Sequence, residues 1–377
     1  MQVTDYELFE VPPRWQFLRL ETDTGLVGWG EPIVEGRPDT TRAATAQLVE
    51  DYVLGADPTR IEDLWTTMYR RKFYRRGAVL YSAISGIDQA LWDLTGKHRG
   101  LPVYDLLGGP VRDRVRIYQH VGGATPEEAA TSAAEAVEAG FTALKTTPTG
   151  PVRRIDAPET VHAAAEYVGA IREAVGPGVD IGLDLHGRVS KSMAKRLVAA
   201  IDPHEPMFYE EPVLPEQSDA IPEVAAKTTT PIATGERLYT RWEFKPVLER
   251  GGIDLIQPDV SHTGGITELR KIAAMAEAYD VGLAPHAPLG PVNFAASLHV
   301  DAVAHNAVVQ EQILDRAGTP TYLAEESLID HEDGYVELPT APGLGVEIDE
   351  EALRAADGET DWSPPDWRHD DGSLAEW

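Results

Sequence analysis

The chain opens on alternating apolar and polar positions that predict three strands, VTDYELFEV, QFLRLETD and LVGWGEPIV, with the turn residues DTG between the second and third. Three helical patterns follow, near residues 39–54, 60–73 and 79–96. In the last, VLYSAISGIDQALWDLTGK, apolar residues recur at helical spacing. Strands followed by helices predict an α+β domain.

From about residue 114 the pattern changes, and short apolar runs alternate with helical segments. The runs are VRIYQHV, TALKTT, DIGLDLH, MFYEEPV, PIATGE, DLIQPDV, GLAPHA and AVVQEQI. Helical patterns such as PETVHAAAEYVGAIREAVG and ITELRKIAAMAEAYD lie between them, several ending in Gly. Eight βα-like units predict an α/β fold, a (β/α)8-type barrel, with the last helix the weakest pattern. An open doubly wound sheet is the alternative, but no G-x-G-x-x-G follows an early strand. After residue 337 the chain turns irregular and rich in Pro and Trp. Its last tryptophans predict packing against the first domain rather than a free tail. The expected division is an α+β domain over 1–113, a barrel over 114–336, and a C-terminal segment over 337–377 that folds back on the first domain.

Composition narrows the classes. No apolar run approaches the roughly 18 residues that span a bilayer. MQVTDYELFE lacks the basic-then-apolar order of a signal peptide, so a cytoplasmic protein is expected. The absence of cysteine excludes disulfides and thiol catalysis. A formal charge of −29 repels nucleic acid and anionic membranes, and reads as adaptation to high salt. One run is opposite in sign: RRKFYRR, residues 70 to 76. It is either a face that pairs with acidic neighbours or a second subunit, or a positive lip for an anionic substrate.

Ionisable residues stand at the ends of most barrel strands. Lys145 ends the second, Asp184 and His186 the third, Glu210 the fourth and Glu236 the fifth. Asp259, His286 and Glu311 end the sixth, seventh and eighth. The C-terminal ends of barrel strands are where catalytic groups gather. Asp184, Glu210 and Glu236 recur every 26 residues, the length of one βα unit. Alone, Asp184 reads as a helix cap and Glu211 competes with Glu210. Together the three predict an all-oxygen site for a hard cation, Mg2+ before zinc, at equal height on neighbouring strands. Asp259 and His286 are one unit apart, which predicts a carboxylate-oriented histidine base.

These features resemble the enolase superfamily, in its mandelate racemase subgroup. The resemblance runs over nearly the whole chain. It rests on GWGEP (28–32), SAISGIDQALWDLTGK (82–97), EEP, GER and the Asp259–His286 pair. Within the subgroup, DLHGRVS, EEPVLPEQ, LAPHAPLGP and WRHDDGSLAEW are most similar to stretches of the dehydratases that act on D-galactonate. The resemblance implies a capping domain over the barrel, a homo-oligomer, and one Mg2+ on Asp184, Glu210 and Glu236. It implies that His286, oriented by Asp259, removes the C2 proton of an aldonate and that His186 protonates the departing 3-hydroxyl. Glu311, in its protonated form, would hold the developing enediolate, with Lys145 near the substrate carboxylate. The product would be a 2-keto-3-deoxy acid.

There are departures. Racemases of this subgroup carry Lys-x-Lys on the second strand, and here the stretch is Lys145-Thr146-Thr147. The missing second lysine argues for elimination rather than two-base racemisation. His120, Thr147 and the segment 315–337 fit the D-galactonate enzymes poorly, which keeps D-gluconate and pentonates such as xylonate open as substrates.

Overall fold

The computed structural model describes residues 1–314, 321–358, 360 and 362–377. Of the poorly matching segment 315–337, the first six residues lie outside the described residues.

Strands β1 (Val3–Val11), β2 (Trp15–Thr22) and β3 (Val27–Gly30) form an antiparallel meander in that order. The third strand is shorter than its apolar run. It ends where Gly30 lies directly on Gly86 of the helix Ala78–Arg99, leaving no room for a Cβ. The helices Pro38–Leu48, with one wider turn over Val49–Val53, and Ile61–Arg70 complete this layer. Leu18, Leu20, Trp65, Tyr81, Ile84 and Leu91 are buried between sheet and helices.

The apolar run VRIYQHV splits in two. Its first half is β4 (Arg114–Arg116), and its second is β5 (Gln119–His120). Next come β6 (Ala143–Thr146), β7 (Asp180–Asp184), β8 (Phe208–Glu210), β9 (Ile232–Thr234), β10 (Leu255–Ile256) and β11 (Gly282–Leu283). Strands β5 to β11 form one parallel sheet in sequence order. Parallel bridges Leu283↔Ala307 and Ile117↔Gln310 put residues 307–310 in the eighth position and curl the sheet closed. Tyr118, Ala143, Phe208, Ala233, Leu255, Ala284 and Val309 form one buried cluster. A filled interior of this kind makes a packed core, not a pore.

The eighth unit has no α-helix among the described residues from 312 to 337. A hairpin of β12 (His331–Glu332) and β13 (Tyr335–Glu337) stands there instead, and β13 pairs antiparallel with β4. That pairing takes β4 out of the barrel.

The C-terminal segment crosses the first layer. Its helix Glu350–Ala356 lies along β1, with Arg354 on Glu7 and Glu350 on Arg19. It then reaches past that layer to the barrel mouth. Arg14 lies over the Trp362 ring at 5.0 Å and Arg188 over Trp367 at 4.9 Å, and Trp377 meets the His186 ring at 5.7 Å.

An excess of surface carboxylates repels itself unless ions screen it. The charge of −29 therefore predicts that the midpoint of thermal unfolding rises between low and molar KCl, by roughly 5 °C or more. Calorimetry across a salt series checks this, and a midpoint that does not move sinks the high-salt reading.

Candidate active site

Asp184 and Glu210 are direct partners in the β7–β8 register, as their spacing predicts. Glu236 is not level with them. Glu210 pairs with Ala233, and Glu236 lies two residues beyond the end of β9. Gly235, at φ 144, turns the chain so that the carboxylate comes back over the strand ends. One oxygen of each acid then lies within 4.8 Å of the others. Glu211 is engaged elsewhere: its oxygens accept from Thr234 Oγ1 (2.6 Å), Gly235 N (2.9 Å) and Arg237 Nη2 (3.1 Å). Asp184 is not a helix cap, because Ser190 caps the following helix through Met193 N.

The donor set fits a hard cation. It is all oxygen, and Glu210 Oε2 is buried without a hydrogen-bond partner. At about 5 Å and an effective dielectric of about 20, each like-charge pair repels by roughly 3 kcal/mol. Three such pairs approach the whole stability of a domain. Lys145 Nζ supplies part of the compensation, at 2.7 Å from Glu210 and 2.9 Å from Glu311. Burial opposes its charge, but Glu210 and Glu311 hold its pKa well above the usual lysine value. Burial also pushes Glu210 up despite Lys145, and raises Glu236 to about 7 against the pull of His286 and Arg237. Carboxylates this reluctant to ionise still lack positive charge.

Asp259 and His286 lie beyond β10 and β11, whose register of 27 residues carries on to bring them level. His286 Nδ1 stands 2.8 Å from Asp259 Oδ2. Its Nε2 faces Glu236 Oε2 at 3.5 Å and Glu311 Oε2 at 3.9 Å. Burial lowers the imidazole, yet Glu311, Asp259 and Glu236 outweigh it and raise its pKa to about 10. Glu311 differs from the protonated acid expected of it. Burial would raise it, but Lys145, His286 and His120 hold it well below the carboxylate range. It accepts from Lys145, from Ala287 N at 2.8 Å, and lies 2.7 Å from His120 Nε2.

His186 reaches the site by a different route from strand alternation. The strand ends at Asp184, and His186 and Gly187 both adopt left-handed backbone at φ 55. The His186 amide donates to Asp184 Oδ1 at 2.6 Å, closing a tight turn. This turn sets the imidazole beside the acids. Burial lowers its pKa against the pull of Asp184, and Nδ1 is buried without a partner.

Two adjoining cavities of ≈ 210 and ≈ 260 Å³ share Glu35, His186, Glu236, His286 and Trp377. Lys145, Asp184 and Glu311 line the smaller, with His120 and Thr147. So His186 and His286 face one space. Ala78, two residues after the basic run 70–76, lines the larger cavity, and Phe73 and Tyr74 of that run are exposed. The outer wall is made of Arg14, Glu35, Arg188, Arg237 and Trp377. Arg14 and Glu35 pair at 2.7 Å. The family resemblance points to the loop near residues 11 to 17, which carries Arg14, as closing the site, and the tryptophan-rich ending points to packing. Sequence reasoning missed Glu35, Arg188 and Arg237.

The fold and this cluster define a barrel whose mouth sets two histidines beside three carboxylates that could hold a cation. Residues 13–108 match the N-terminal domain of mandelate racemase/muconate lactonizing enzyme, and residues 128–352 match the enolase C-terminal domain-like family. The chain belongs to the mandelate racemase/muconate lactonizing enzyme family of the enolase superfamily. It is 51% identical to D-galactonate dehydratases of Variovorax paradoxus and Xanthomonas euvesicatoria, with 100% of each chain covered. It also superimposes on the crystal structure of an enolase from Agrobacterium radiobacter bound to Na and L-malate. That pair has a TM-score of 0.92 and 36% identity, over 100% of both chains. A mandelate racemase/muconate lactonizing enzyme from Sulfitobacter sp. gives a TM-score of 0.90 at 35% identity, over 97% of this chain and 99% of the other.

Proposed function

We propose that this chain dehydrates a sugar acid, D-galactonate first, to the 2-keto-3-deoxy acid, with one Mg2+ held by Asp184, Glu210 and Glu236. One observation carries the reading. Two histidines, one backed by a carboxylate, face a single cavity beside the acid cluster, in a chain 51% identical to D-galactonate dehydratases over its full length. When bound, the ion offsets negative charge developing on the substrate carboxylate.

The protein's own groups do the rest. His286 Nε2 accepts the C2 proton while Asp259 fixes the ring through Nδ1 and stabilises the imidazolium. His186 gives a proton to the 3-hydroxyl, which leaves as water. The resulting enol ketonises. Glu311 and Lys145 form the floor on which the carboxylate end is oriented. Lys145 is committed to Glu210 and Glu311, and Thr147 stands where a second lysine would supply another base. Both features favour one-way elimination. On grounds of family we add a cytoplasmic homo-oligomer, with residues 1–113 and 337–377 as the cap on the barrel 114–336.

The test is a screen of D-galactonate, D-gluconate and D-xylonate with Mg2+ at molar salt, assaying keto-acid formation. D-Galactonate is expected to give the highest kcat/KM, and chelator is expected to abolish turnover. If no aldonate yields a keto acid, the dehydratase reading fails. If only gluconate or xylonate does, the substrate changes and the mechanism stands.

A further inference from the structure

The carboxylate behind His286 is fixed from the far side by a buried hydrogen-bond net. Asp259 Oδ1 accepts from Ser261 N at 2.6 Å and from Asn293 Nδ2 at 2.8 Å. Asn293 Nδ2 also reaches Ser261 Oγ at 3.0 Å, and Gln89 Nε2 donates to that hydroxyl at 3.0 Å. Behind them stands Glu31 of the GWGEP stretch. Its carboxylate accepts from Gly290 N at 2.6 Å and Asn293 N at 2.9 Å, and its own amide donates to Gln89 Oε1 at 2.7 Å. Glu31, Gln89, Ser261 and Asn293 are all 0% exposed.

Two of these residues come from the N-terminal layer and two from the barrel. Glu31 follows β3, and Gln89 lies on the helix Ala78–Arg99. Ser261 follows Asp259, and Asn293 lies in the first turn of the helix Pro291–Val303. The net therefore crosses the interface and ends on the group that holds the base. A buried carboxylate with only backbone donors is costly, and an apolar contact would join the two layers more cheaply. What the net adds is position. Glu31 fixes the start of the 291–303 helix, and so fixes where the Asn293 amide meets Asp259.

We propose that Glu31 and Asn293 are positioning residues for the base, so that the N-terminal layer sets the orientation of Asp259 and, through it, of His286. The functional part of this rests on the dehydratase reading. Misplacement of a reacting group by about 1 Å costs on the order of 100-fold in rate. Glu31→Gln and Asn293→Ala are therefore expected to lower kcat by about 10- to 100-fold, with KM changed less than about two-fold. Exchange of the C2 proton with solvent should slow by the same factor.

The control is Asp93→Asn. Asp93 is an equally buried acid of the N-terminal layer, bonded to Trp29 N at 3.0 Å, to Leu344 N of the C-terminal segment at 2.9 Å and to Lys97 at 2.7 Å, and it lies outside the net. It is expected to lose stability and keep kcat.

A second readout needs no substrate. In long-range 1H–15N spectra of histidine-labelled protein recorded with saturating Mg2+, wild-type His286 should show one tautomer, protonated on Nδ1. Asn293→Ala and Glu31→Gln should show a mixture, and Asp93→Asn should not. The inference is overturned if the kcat and His286 signals of Glu31→Gln and Asn293→Ala match those of Asp93→Asn. If wild-type protein dehydrates no aldonate, the dehydratase reading has failed, and the imidazole spectra alone decide the positioning. If Glu31→Gln does not fold, Asn293→Ala carries the test.

Discussion

Replacing His286 with asparagine is expected to stop the reaction at its first step. Dehydration should fall by about 10³-fold or more, and exchange of the C2 proton should fall with it. Asparagine keeps a polar group near Asp259 Oδ2 but cannot accept a proton. His286 Nε2 is the ring nitrogen left open toward the cavity, since Nδ1 is held by Asp259 at 2.8 Å. KM should change little, because the proposed mechanism orients the aldonate carboxylate on the metal site, Glu311 and Lys145. The same variant should bind metal as tightly as wild type or more tightly. It removes an imidazole whose pKa the surrounding acids raise to about 10, and which as a cation competes for Glu236 at 3.5 Å. Steady-state kinetics, 1H NMR in D2O and metal titration check the three parts. Activity within tenfold of wild type would remove His286 as the base.

Much of this site was legible because barrel strands impose a regular repeat. The Asp259–His286 spacing equals the β10–β11 register, so two residues beyond the strand ends still meet. Asp184 and Glu210 are direct partners for the same reason. What escaped prediction depends on backbone outside the strand period. The Glu236 carboxylate meets the other two only through the turn at Gly235, and His186 reaches the site only through a left-handed pair. The split of VRIYQHV arises because β4 pairs with β13, more than 200 residues away in sequence. No local pattern signals that competition. The outer wall is harder still: Arg14, Glu35 and Trp377 meet from opposite ends of the chain. Asn293 and Glu31 also carry no periodic signal, since their contacts belong to a hydrogen-bond net that crosses an interface. Roles are less legible than positions. Glu311 was expected to be protonated, yet Lys145, His286 and His120 beside it pull its pKa well below the carboxylate range.

His186→Asn is expected to separate the two proton transfers. Dehydration should fall by about 10²- to 10⁴-fold, the usual contribution of a positioned acid. Exchange at C2 should stay within about tenfold of wild type, because Asp259 and His286 are untouched. One feature opposes the role: burial, with Arg188, Arg237 and Lys145, lowers the His186 pKa, against the pull of Asp184 alone. A bound aldonate adds an anion to the same cavity and shifts the balance toward the imidazolium. The imidazole is therefore most fully protonated with substrate in place, when the 3-hydroxyl needs the proton. Trp377, 5.7 Å from the ring and on the cavity wall, screens it from bulk water. The measurement is deuterium at C2 of D-galactonate recovered from D2O, alongside keto-acid release. Deuterium incorporation without keto acid supports separate roles for the two histidines. Unimpaired dehydration would remove His186 as the acid. An equal fall in both rates would mean that it serves the proton abstraction as well, and that base and acid are not divided between the two sides of the cavity.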